Sequence, residues 1–544
     1  MTVKQNMITR YFVWQASALL VVFSTLSIFF ISSHLFWWMT LILSMLIFVL
    51  GVYDQLQIKH SLLRNYPVIG HLRFWLEFIR PEIRQYFIES DREKLPFSRN
   101  QRALVYQRAK GVSDQKPFGT IDDVYLQNYE WLTHSSKPLE KNKIEELRIC
   151  VGNEQTNQPY LASIFNISAL SFGALSANAI LALNRGAKMG NFAHDTGEGS
   201  VSSYHLKYGG DLIWEIGSGY FGCRSASGEF DIKQFTQTAQ LPSIKMIEIK
   251  LSQGAKPGHG GVLPAAKITP EIALTRKIPM GKDCISPARH SAFSNPIEML
   301  HFVAKLKSYS GGKPVGFKLC IGNPQDWFSI VKAMLETGIY PDFFVIDGSE
   351  GGTGSAPTEF ADHVGMPMRE GLRLVHASLI GTGLRDQVKI GVAGKIVSAF
   401  DIVRVCALGA DWCNSARGFM FALGCIQSRT CNTDRCPTGV ATQNPLRQRS
   451  LDPEDKFQRV FNFHQNTLAA LKELLVSAGV SHTRYLKPEM IMVRTGSYKT
   501  EYLSSLILNL EENVLLHSRN TYLLDQYQSG LGEAWQKASP KSFT

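Results

Sequence analysis

Residues 343–354 read FFVIDGSEGGTG, a short apolar run that ends in polar residues and glycines. The same succession recurs along residues 160–420, where short apolar runs alternate with stretches long enough to form helices. Runs that are apolar throughout are typical of strands buried on both faces of a parallel sheet. They predict eight strands, at Ile164–Ser168, Asn191–Thr196, Lys245–Leu251, Cys284–Pro287, Val315–Cys320, Phe343–Asp347, Lys389–Ala393 and Asp411–Ser415.

Polar or glycine-rich segments follow several of these predicted strands, among them DTGEG at 195–199 and SQGAKPGHGG at 252–261. Eight strand–helix units with polar residues after the strands are typical of a (β/α)8 (TIM) barrel, an α/β fold whose active site lies at the carboxyl ends of the strands. The alternative α/β fold is a doubly wound sheet, but no GxGxxG segment follows the first predicted strand. The sequence therefore predicts a TIM barrel.

The segment Tyr11–Tyr53 contains no Asp, Glu, Lys or Arg. A membrane crossing needs about 20 apolar residues, so we expect a hairpin of two transmembrane helices, at about 11–31 and 35–53. The alternative is a cleaved signal peptide followed by a core helix, but the run is too long and lacks a small-x-small cleavage site. The cations that flank the run are Lys4, Arg10, Lys59 and Arg64.

Cations at both ends of the hairpin and none within it predict that both chain termini are cytoplasmic. We therefore expect a two-pass protein of the inner or plasma membrane, with the lipid bilayer as a partner and the catalytic domain in the cytoplasm. The net charge of +11 does not indicate a nucleic-acid partner, because no nucleic-acid motif and no basic run alternating with aromatic residues occurs. Membrane flanks and anionic small ligands account for the excess.

Four regions are predicted along the chain. Residues 1–54 form the membrane anchor. Residues 55–150 are rich in aromatic residues and too apolar for a disordered linker, so we expect a helical and irregular subdomain. Residues 151–450 form the barrel, and residues 451–544, which begin with a helical pattern at 455–480, form a helical cap.

Cysteine spacing gives the strongest local signal. The nine cysteines are odd in number and mostly scattered, which disfavours a disulfide framework and favours a reducing compartment. Cys425, Cys431 and Cys436 form a C-x5-C-x4-C motif whose last cysteine precedes a proline. Three soft thiolate ligands and a Cys-Pro pair favour a [3Fe-4S] cluster. Zinc is an alternative that usually takes four ligands, and three small buried thiols are another.

The segment GCIQSRTCNTDRCPTGVATQ at 424–443 resembles the cluster-binding loop of glutamate synthases. The resemblance extends upstream, in order, through ISALSFGALS, DTGEG, SQGAKPGHGGVLP, ISPARH, VGFKL, DGSEGGTGSAP and GADWCNSARGFMFALGC. The matching blocks cover most of residues 160–450, and seven blocks in order are far more specific than any one of them. The membrane run and RNYPVIGHLR at 64–73 are similar to the short, membrane-anchored bacterial branch of this family.

This resemblance implies that FMN binds across the top of the barrel. The phosphate of FMN requires backbone N–H groups, usually at loops after the seventh and eighth strands, where Gly394 and residues 415–417 are placed. Any one such loop, including the Gly-rich turn at 351–354, is also explained as an ordinary tight turn. The expected FMN-binding residues are Ser168, Ala169, Ser171, Gln253, Lys318, Gly351, Gly352, Thr353, Gly394, Ser415, Ala416 and Arg417.

Lys318 lies within the apolar strand VGFKLC, where a lone ammonium is costly without a partner. The family resemblance suggests that it contacts flavin or substrate, since a cation stabilises reduced flavin; pairing with a core carboxylate is the alternative. The resemblance implies catalytic roles for Lys318, Glu198, Gln253 and Lys256, with Glu198 at the ammonia entry. Arg289 and Lys256 are the expected substrate-binding residues, because Arg can pair a carboxylate in bidentate fashion.

By the same resemblance, 2-oxoglutarate and ammonia condense to 2-iminoglutarate, which reduced FMN converts to L-glutamate. Electrons would arrive through the cluster from ferredoxin or a flavoprotein. We expect no glutaminase domain, because no cysteine precedes Cys150 to act as its nucleophile. Two alternatives are a membrane-linked FMN and Fe–S oxidoreductase of another substrate, which exchanges electrons with quinone, and a non-catalytic electron-transfer or scaffold protein.

Overall fold

The structure is a computed structural model that describes residues 3–93, 96–517 and 521–544, and the side chains from residue 11 onward within them. The side chains of Lys4 and Arg10, on which the predicted topology in part depends, lie outside the described residues. The chain divides into two compact units, Met1–Glu93 and Lys94–Thr544.

Eight parallel strands close into a barrel in the second unit, which confirms the predicted fold. The last strand pairs with the first, so that Cys413 lies opposite Phe165 and Ser415 opposite Ile167. Most strand residues are buried, as the apolar runs predict. The barrel strands are β1 (Phe165–Ile167), β2 (His194–Asp195), β3 (Leu212–Ile216), β4 (Ile244–Lys250), β5 (Val315–Leu319), β6 (Phe343–Asp347), β7 (Lys389–Ala393) and β8 (Trp412–Ser415).

One of the eight predicted strands is wrong. Cys284–Ile285 pairs antiparallel with Val262–Leu263 outside the barrel, and Ile285 is 66% exposed. The barrel strand that the sequence reading missed is β3, LIWEI, whose Glu215 is 1% exposed. An ionised carboxylate inside a barrel is costly unless a cation lies beside it, and the cations that meet Glu215 come from β4 and β5. The five residues of β3 alone do not show that these cations will lie beside Glu215.

Helices alternate with the barrel strands and cover their outer faces. Many begin with a capping side chain: Asn295 and Asn323 each accept a backbone N–H and precede a proline at the first helical position. The helices of the strand–helix units are Ala177–Gly190, Ser203–Leu206, Ile232–Ala239, Pro270–Arg276, Pro296–Tyr309, Pro324–Thr337, Thr358–His363, Met368–Gly381, Ala399–Ala407 and Arg417–Leu423.

Segments before and after the barrel pack together in the same unit. Helix Arg99–Lys110 packs on the long helix Pro453–Ala478, which Asp452 caps and Gly479 ends; the predicted helical pattern at 455–480 is confirmed. Further strands and α-helices of this unit are the three-stranded sheet of Glu130–Leu132, Ile491–Arg494 and Thr500–Tyr502, the hairpin of Arg148–Val151 and Tyr160–Ser163, and the short helices Pro445–Gln448, Tyr522–Tyr527 and Leu531–Lys537.

The first unit begins with two long helices, Val3–Phe30 and Leu35–Leu56, which pack against each other. Trp14 stacks on Phe48 with ring centroids 5.7 Å apart, and a Cβ at Gly51 would lie 2.1 Å from Cδ1 of Trp14. By length and composition, Tyr11–Phe30 and Leu35–Leu56 are able to cross a membrane. The helices Ser61–Asn65 and Gly70–Ile83 follow, and a π-helical turn, Arg84–Ile88, completes this unit's helical structure.

Candidate active site

A pocket opens at the carboxyl ends of the barrel strands, between the loops that follow β2, β3 and β4. Three of the predicted catalytic residues line it: Glu198, Gln253 and Lys256. Its other lining residues are Ser218, Lys250, Leu251, Ser252, Gly258, Gly260, Gly261, Pro287 and Ala288. The close approach of Gly261 to Glu198 permits no side chain, because a Cβ there would lie 1.6 Å from Oε1 of Glu198.

A chain of ion pairs leads from this pocket into the barrel. Lys250 Nζ lies 2.6 Å from Oε2 of Glu198 and 3.5 Å from Oε1 of Glu215. Lys318 Nζ lies 2.7 Å from the other oxygen of Glu215. Lys318 therefore has the core carboxylate partner that the sequence reading gave as the alternative to a flavin contact, and its ammonium is connected to the pocket through Glu215 and Lys250.

The pKa shifts of Lys318, Glu198 and Lys250 favour their charged forms. Burial alone would lower the pKa of Lys318, but Glu215 and Asp347, with other buried carboxylates, raise it well above its usual value. Burial likewise opposes ionisation of Glu198, and the neighbouring Lys250 outweighs it and lowers the pKa of Glu198. The same attraction raises the pKa of Lys250.

Two further carboxylates lie deeper, beside Glu215. Oxygens of Asp195, Glu215 and Glu248 all lie within 4.8 Å of one another. Burial and repulsion from Glu215 raise the pKa of Asp195 to about 7, and burial and repulsion from Asp195 raise the pKa of Glu248 well above its usual value. The sequence reading missed these groups, although LIWEI and IKMIEIK carry the signal that singled out Lys318, a charge within an apolar strand.

Lys256 lines the pocket, and its pKa is lower than that of an exposed lysine. Its Nζ donates to the carbonyl of Ser355 at 2.7 Å. Burial lowers the pKa of Lys256 to about 8, with Glu198 opposing the shift and Lys250 adding to it. An ammonium of this kind, buried but without a close carboxylate in the described structure, is a suitable partner for an anionic ligand.

Loops after β4, β6 and β8 are joined by hydrogen bonds at the top of the barrel. Gln253 Nε2 donates to the carbonyl of Gly352 at 3.3 Å, and Arg417 Nη2 donates to the carbonyl of Glu350 at 2.6 Å. Glycine is required at Gly254, where a Cβ would lie 1.7 Å from the carbonyl oxygen of Gly348. The predicted flavin residues Gln253, Gly351, Gly352 and Arg417 are therefore brought together.

The other predicted flavin residues lie at the ends of β1, β7 and β8. Ser415 Oγ donates to the carbonyl of Ile396 at 2.6 Å, and the backbone N–H of Ser168 donates to the carbonyl of Ser415 at 3.1 Å. Gly394 has a φ of +153°, a conformation that favours glycine. Ala169 and Ser171 follow β1, Ala416 follows β8, and Thr353 is exposed after β6.

Two carboxylates underlie these loops. Asp347 accepts the N–H of Gly254 at 2.9 Å, and burial raises the pKa of Asp347. Burial also lowers the pKa of Arg417 to about 10, although Asp347 and Glu350 favour its charged form. With that pKa the guanidinium stays charged at neutral pH, and it lies 4.8 Å from the ring centre of Phe97.

Arg289, predicted to bind substrate, is exposed. Its neighbours Pro287 and Ala288 line the pocket, and Arg289 is not among the lining residues found there. The buried residue of this segment is His290, whose ring lies 2.9 Å from the carbonyl oxygen of Lys250. The substrate role of Arg289 stays a prediction.

The three cysteines of the C-x5-C-x4-C motif are close enough for their charges to interact. Burial raises the pKa of Cys425 to about 12, and Cys431 and Cys436 add to the shift. Burial and Cys436 likewise raise the pKa of Cys431. Around Cys436, N–H groups of Ala441, Thr438 and Val440 outweigh burial and lower its pKa. The loop thus combines one thiol whose ionisation its surroundings favour with two thiols whose ionisation they oppose.

The spacing of the sulfur atoms bears on the metal. Among the residues that the structure describes, the three sulfurs do not all fall within 4.8 Å of one another. One tetrahedral zinc ion with Zn–S bonds of about 2.3 Å would hold its sulfurs about 3.8 Å apart. As they are spaced here, the three sulfurs therefore do not form the ligand set of one zinc ion.

This cysteine loop, residues 425–443, packs against the loop that follows β1. Gln443 Nε2 donates to the carbonyls of Gly173 and Leu175 at 3.0 and 2.8 Å. The buried Lys267 donates from Nζ to the carbonyls of Ala174, at 2.6 Å, and Cys431, at 3.3 Å. The cysteine loop is therefore in contact with the top of the barrel, where the predicted flavin residues lie.

Fold and site together define a (β/α)8-barrel protein with a charged pocket and a cysteine loop at one mouth. A family model described as the conserved region in glutamate synthase matches residues 113–481. The chain belongs to the glutamate synthase family.

Curated relatives agree with this assignment. The glutamate synthase large subunit-like protein YerD of Bacillus subtilis (strain 168) is 36% identical over 507 residues, which cover 84% of this chain and 96% of the relative. An archaeal glutamate synthase (NADPH) of Methanocaldococcus jannaschii is 36% identical over 322 residues, or 59% of this chain and 60% of the relative. A flavocytochrome b2 variant with sulfite bound superposes with a TM-score of 0.42 at 11% identity, covering 86% of this chain and 93% of that one; so weak a likeness says nothing about function.

Proposed function

We propose that this chain is an FMN- and iron–sulfur-dependent oxidoreductase that converts 2-oxoglutarate and ammonia to L-glutamate. Membership of the glutamate synthase family supports a glutamate synthase-like oxidoreductase. The single observation that carries the finer proposal is the charged chain of Lys318, Glu215, Lys250 and Glu198, which ends in a pocket beside loops suited to flavin and cluster.

Residues at the ends of β1, β6, β7 and β8 would hold FMN. The glycines there keep space free: a Cβ at Gly352 would lie 2.8 Å from Nε of Arg417. Arg417 and Lys318 supply positive charge near the flavin, which favours its anionic reduced form. When bound and reduced, FMN would supply the hydride for the substrate.

The pocket suits a dicarboxylate and ammonia. Lys256 is placed to pair with a carboxylate of 2-oxoglutarate, because its own carboxylate neighbour, Glu198, is already bonded to Lys250. The carboxylate of Glu198 lines the same pocket and would hold and orient incoming ammonium. After the ammonium loses a proton to solvent, ammonia would condense with the 2-oxo group and release water to give 2-iminoglutarate. Gln253 and Lys256 would position this imine beneath the flavin loops.

Cys425, Cys431 and Cys436 would hold a [3Fe-4S] cluster, whose irons provide the positive charge that the thiols lack. The contact of the cysteine loop with the loop after β1 would put that cluster near the flavin. Ferredoxin or a flavoprotein would donate the electrons. The two apolar helices would anchor the chain as a two-pass membrane protein, with residues 151–450 as the cytoplasmic catalytic region.

The test uses the purified full chain in detergent. FMN and iron are quantified, and glutamate is measured from 2-oxoglutarate, ammonium and reduced ferredoxin. We expect one FMN and about three irons per chain, with glutamate formed. Flavin and iron without glutamate would assign another substrate, and a chain that binds neither would refute the proposal.

A further inference from the structure

Residues 70–88 carry exposed apolar side chains along a helix that follows the two candidate membrane helices. The helix Gly70–Ile83 continues into the π-helical turn Arg84–Ile88. Trp75 is 57% exposed, Phe78 79% and Phe87 85%. Aromatic side chains exposed in such a row mark an interaction surface, because water contact with each of them is unfavourable.

The helix separates its side chains into two faces. At about 100° per residue, Arg73, Glu77, Arg80 and Arg84 fall on one side, where Arg80 and Glu77 form an ion pair of 3.9 Å. Glu82 is the carboxylate that departs from the separation, near the carboxyl end of the helix. The other side carries Leu72, Trp75, Leu76, Phe78, Ile79 and Ile83.

A buried carboxylate ties the start of this helix to the end of the second candidate membrane helix. Asp54, in the last turn of Leu35–Leu56, is fully buried. Its Oδ1 lies 2.8 Å from Nε2 of His71, and its Oδ2 accepts the N–H of Val68 at 2.9 Å. If Leu35–Leu56 spans a bilayer, the helix Gly70–Ile83 therefore begins at the boundary between the hydrocarbon core and the headgroups.

Charge around this junction favours an anionic leaflet. Residues 57–88 contain the cations Lys59, Arg64, Arg73, Arg80 and Arg84, against the carboxylates of Glu77 and Glu82, and Arg84 forms an ion pair with Glu93. Cations close to a membrane surface are attracted to anionic headgroups, and long Arg side chains reach headgroups from the edge of an apolar face. Trp and Tyr are enriched at the same depth.

The geometry points to residues 70–88 as an interfacial helix that binds anionic phospholipid, with Trp75 and Phe78 inserted at the boundary of headgroups and acyl chains. A helix with a strong apolar face and a basic polar face lies in the membrane plane, and the Asp54 bonds place this one there. The surface gives the first unit a second attachment to the leaflet; the inference rests on the proposed membrane anchor and does not depend on the proposed reaction.

Photocrosslinking of the full chain in proteoliposomes tests the assignment. Phe78→benzoylphenylalanine places the probe on the apolar face, and Glu77→benzoylphenylalanine is the matched control on the polar face one residue away. Vesicles contain either zwitterionic phosphatidylcholine alone or one third phosphatidylglycerol. Adducts are identified by mass spectrometry, and Leu72→benzoylphenylalanine serves as a second apolar-face probe if the Phe78 variant does not fold.

We expect lipid adducts from position 78 and few from position 77. With phosphatidylglycerol present, Arg73→Gln together with Arg80→Gln should lower the adduct yield at position 78 by about tenfold. Crosslinks from position 78 to residues 94–544, crosslinked dimers, or no adduct at either apolar-face probe would each overturn the proposal. Equal yields in both vesicle types would overturn its requirement for anionic lipid.

Discussion

Two clusters of ionisable side chains meet at the mouth of the barrel, and their charges are balanced in different ways. In the pocket, Lys250 and Lys318 neutralise Glu198 and Glu215 across distances of 2.6 to 3.5 Å. In the cysteine loop, burial and mutual repulsion raise the pKa values of Cys425 and Cys431. The ion-pair chain from Glu198 to Lys318 is balanced within the protein, whereas the cysteine loop becomes balanced only with bound positive charge.

This difference suits the two clusters to different tasks: the ion pairs of the pocket to positioning side chains, and the cysteine loop to binding a metal. Ion pairs that are already satisfied hold their side chains in place before a ligand arrives, which lowers the cost of organising a transition state. Thiolates close to one another repel, which opposes the ionisation of Cys425 and Cys431. A multivalent cation is favoured there, because metal binding displaces the protons and relieves the repulsion between the thiolates. Variants at each cluster should therefore fail in different ways.

The largest expected effect is at the cysteine loop. Cys431→Ser should reduce bound iron from about three per chain to none and abolish electron transfer, because two thiols cannot retain the cluster. Iron quantification and the visible absorption spectrum measure this. Cys150→Ser, at an exposed thiol, is the control and should keep its iron; equal iron in both variants would contradict the assignment.

Removal of a cation from the pocket should come next. Lys318→Met leaves Glu215 buried with Lys250 alone, so we expect the free energy of unfolding to fall by about 3–5 kcal/mol and turnover to fall roughly 100-fold. Thermal unfolding in detergent and steady-state turnover are the measurements.

The matched double variant, Lys318→Met with Glu215→Gln, separates the two effects. It should recover much of the lost stability, because Glu215, the carboxylate in direct contact with the lost ammonium, is also removed. Turnover should stay low if the ammonium also serves flavin or substrate. Recovery of both would limit Lys318 to a structural role.

A pH dependence follows from Lys256. With a pKa of about 8, its charge is lost above that pH, so kcat/KM for 2-oxoglutarate should fall about tenfold per pH unit there. The unfolded chain keeps this proton up to about pH 10.4. Between the two values the unfolded state binds more protons, so the contribution of Lys256 to stability rises with pH.

Lys256→Gln tests this assignment. The variant should have a low kcat/KM with no pH dependence from this group, and Lys256→Arg should extend the activity to higher pH. A profile of Lys256→Gln that still falls above pH 8 would assign the titration to another group.

The smallest expected effect is on the potential of the cluster. Lys267 contacts the carbonyl of Cys431, and burial lowers its pKa to about 8, so it is cationic at neutral pH. Lys267→Gln should lower the midpoint potential by on the order of 50 mV, because a nearby cation favours the reduced cluster. Redox titration followed by electron paramagnetic resonance measures it; Lys277→Gln, at an exposed lysine, should leave the potential unchanged.

Local sequence pattern was sufficient to predict much of the fold of this protein. The apolar runs predicted seven barrel strands, the alternation with helices predicted the barrel, and the uncharged segment Tyr11–Tyr53 predicted two long apolar helices. These features depend on residues that are neighbours in the sequence, since strand burial and helix length are local properties. The spacing of Cys425, Cys431 and Cys436 was equally local.

Tertiary structure alone decided which charges meet. Glu215 occupies a strand that pattern did not reveal, and its burial is possible only because Lys250 and Lys318 arrive from β4 and β5. Conversely, Cys284–Ile285 resembles a barrel strand in composition but pairs outside it. Closure of the barrel fixes both outcomes, because a buried ion is stabilised by partners far away in the sequence, and no window of sequence contains them.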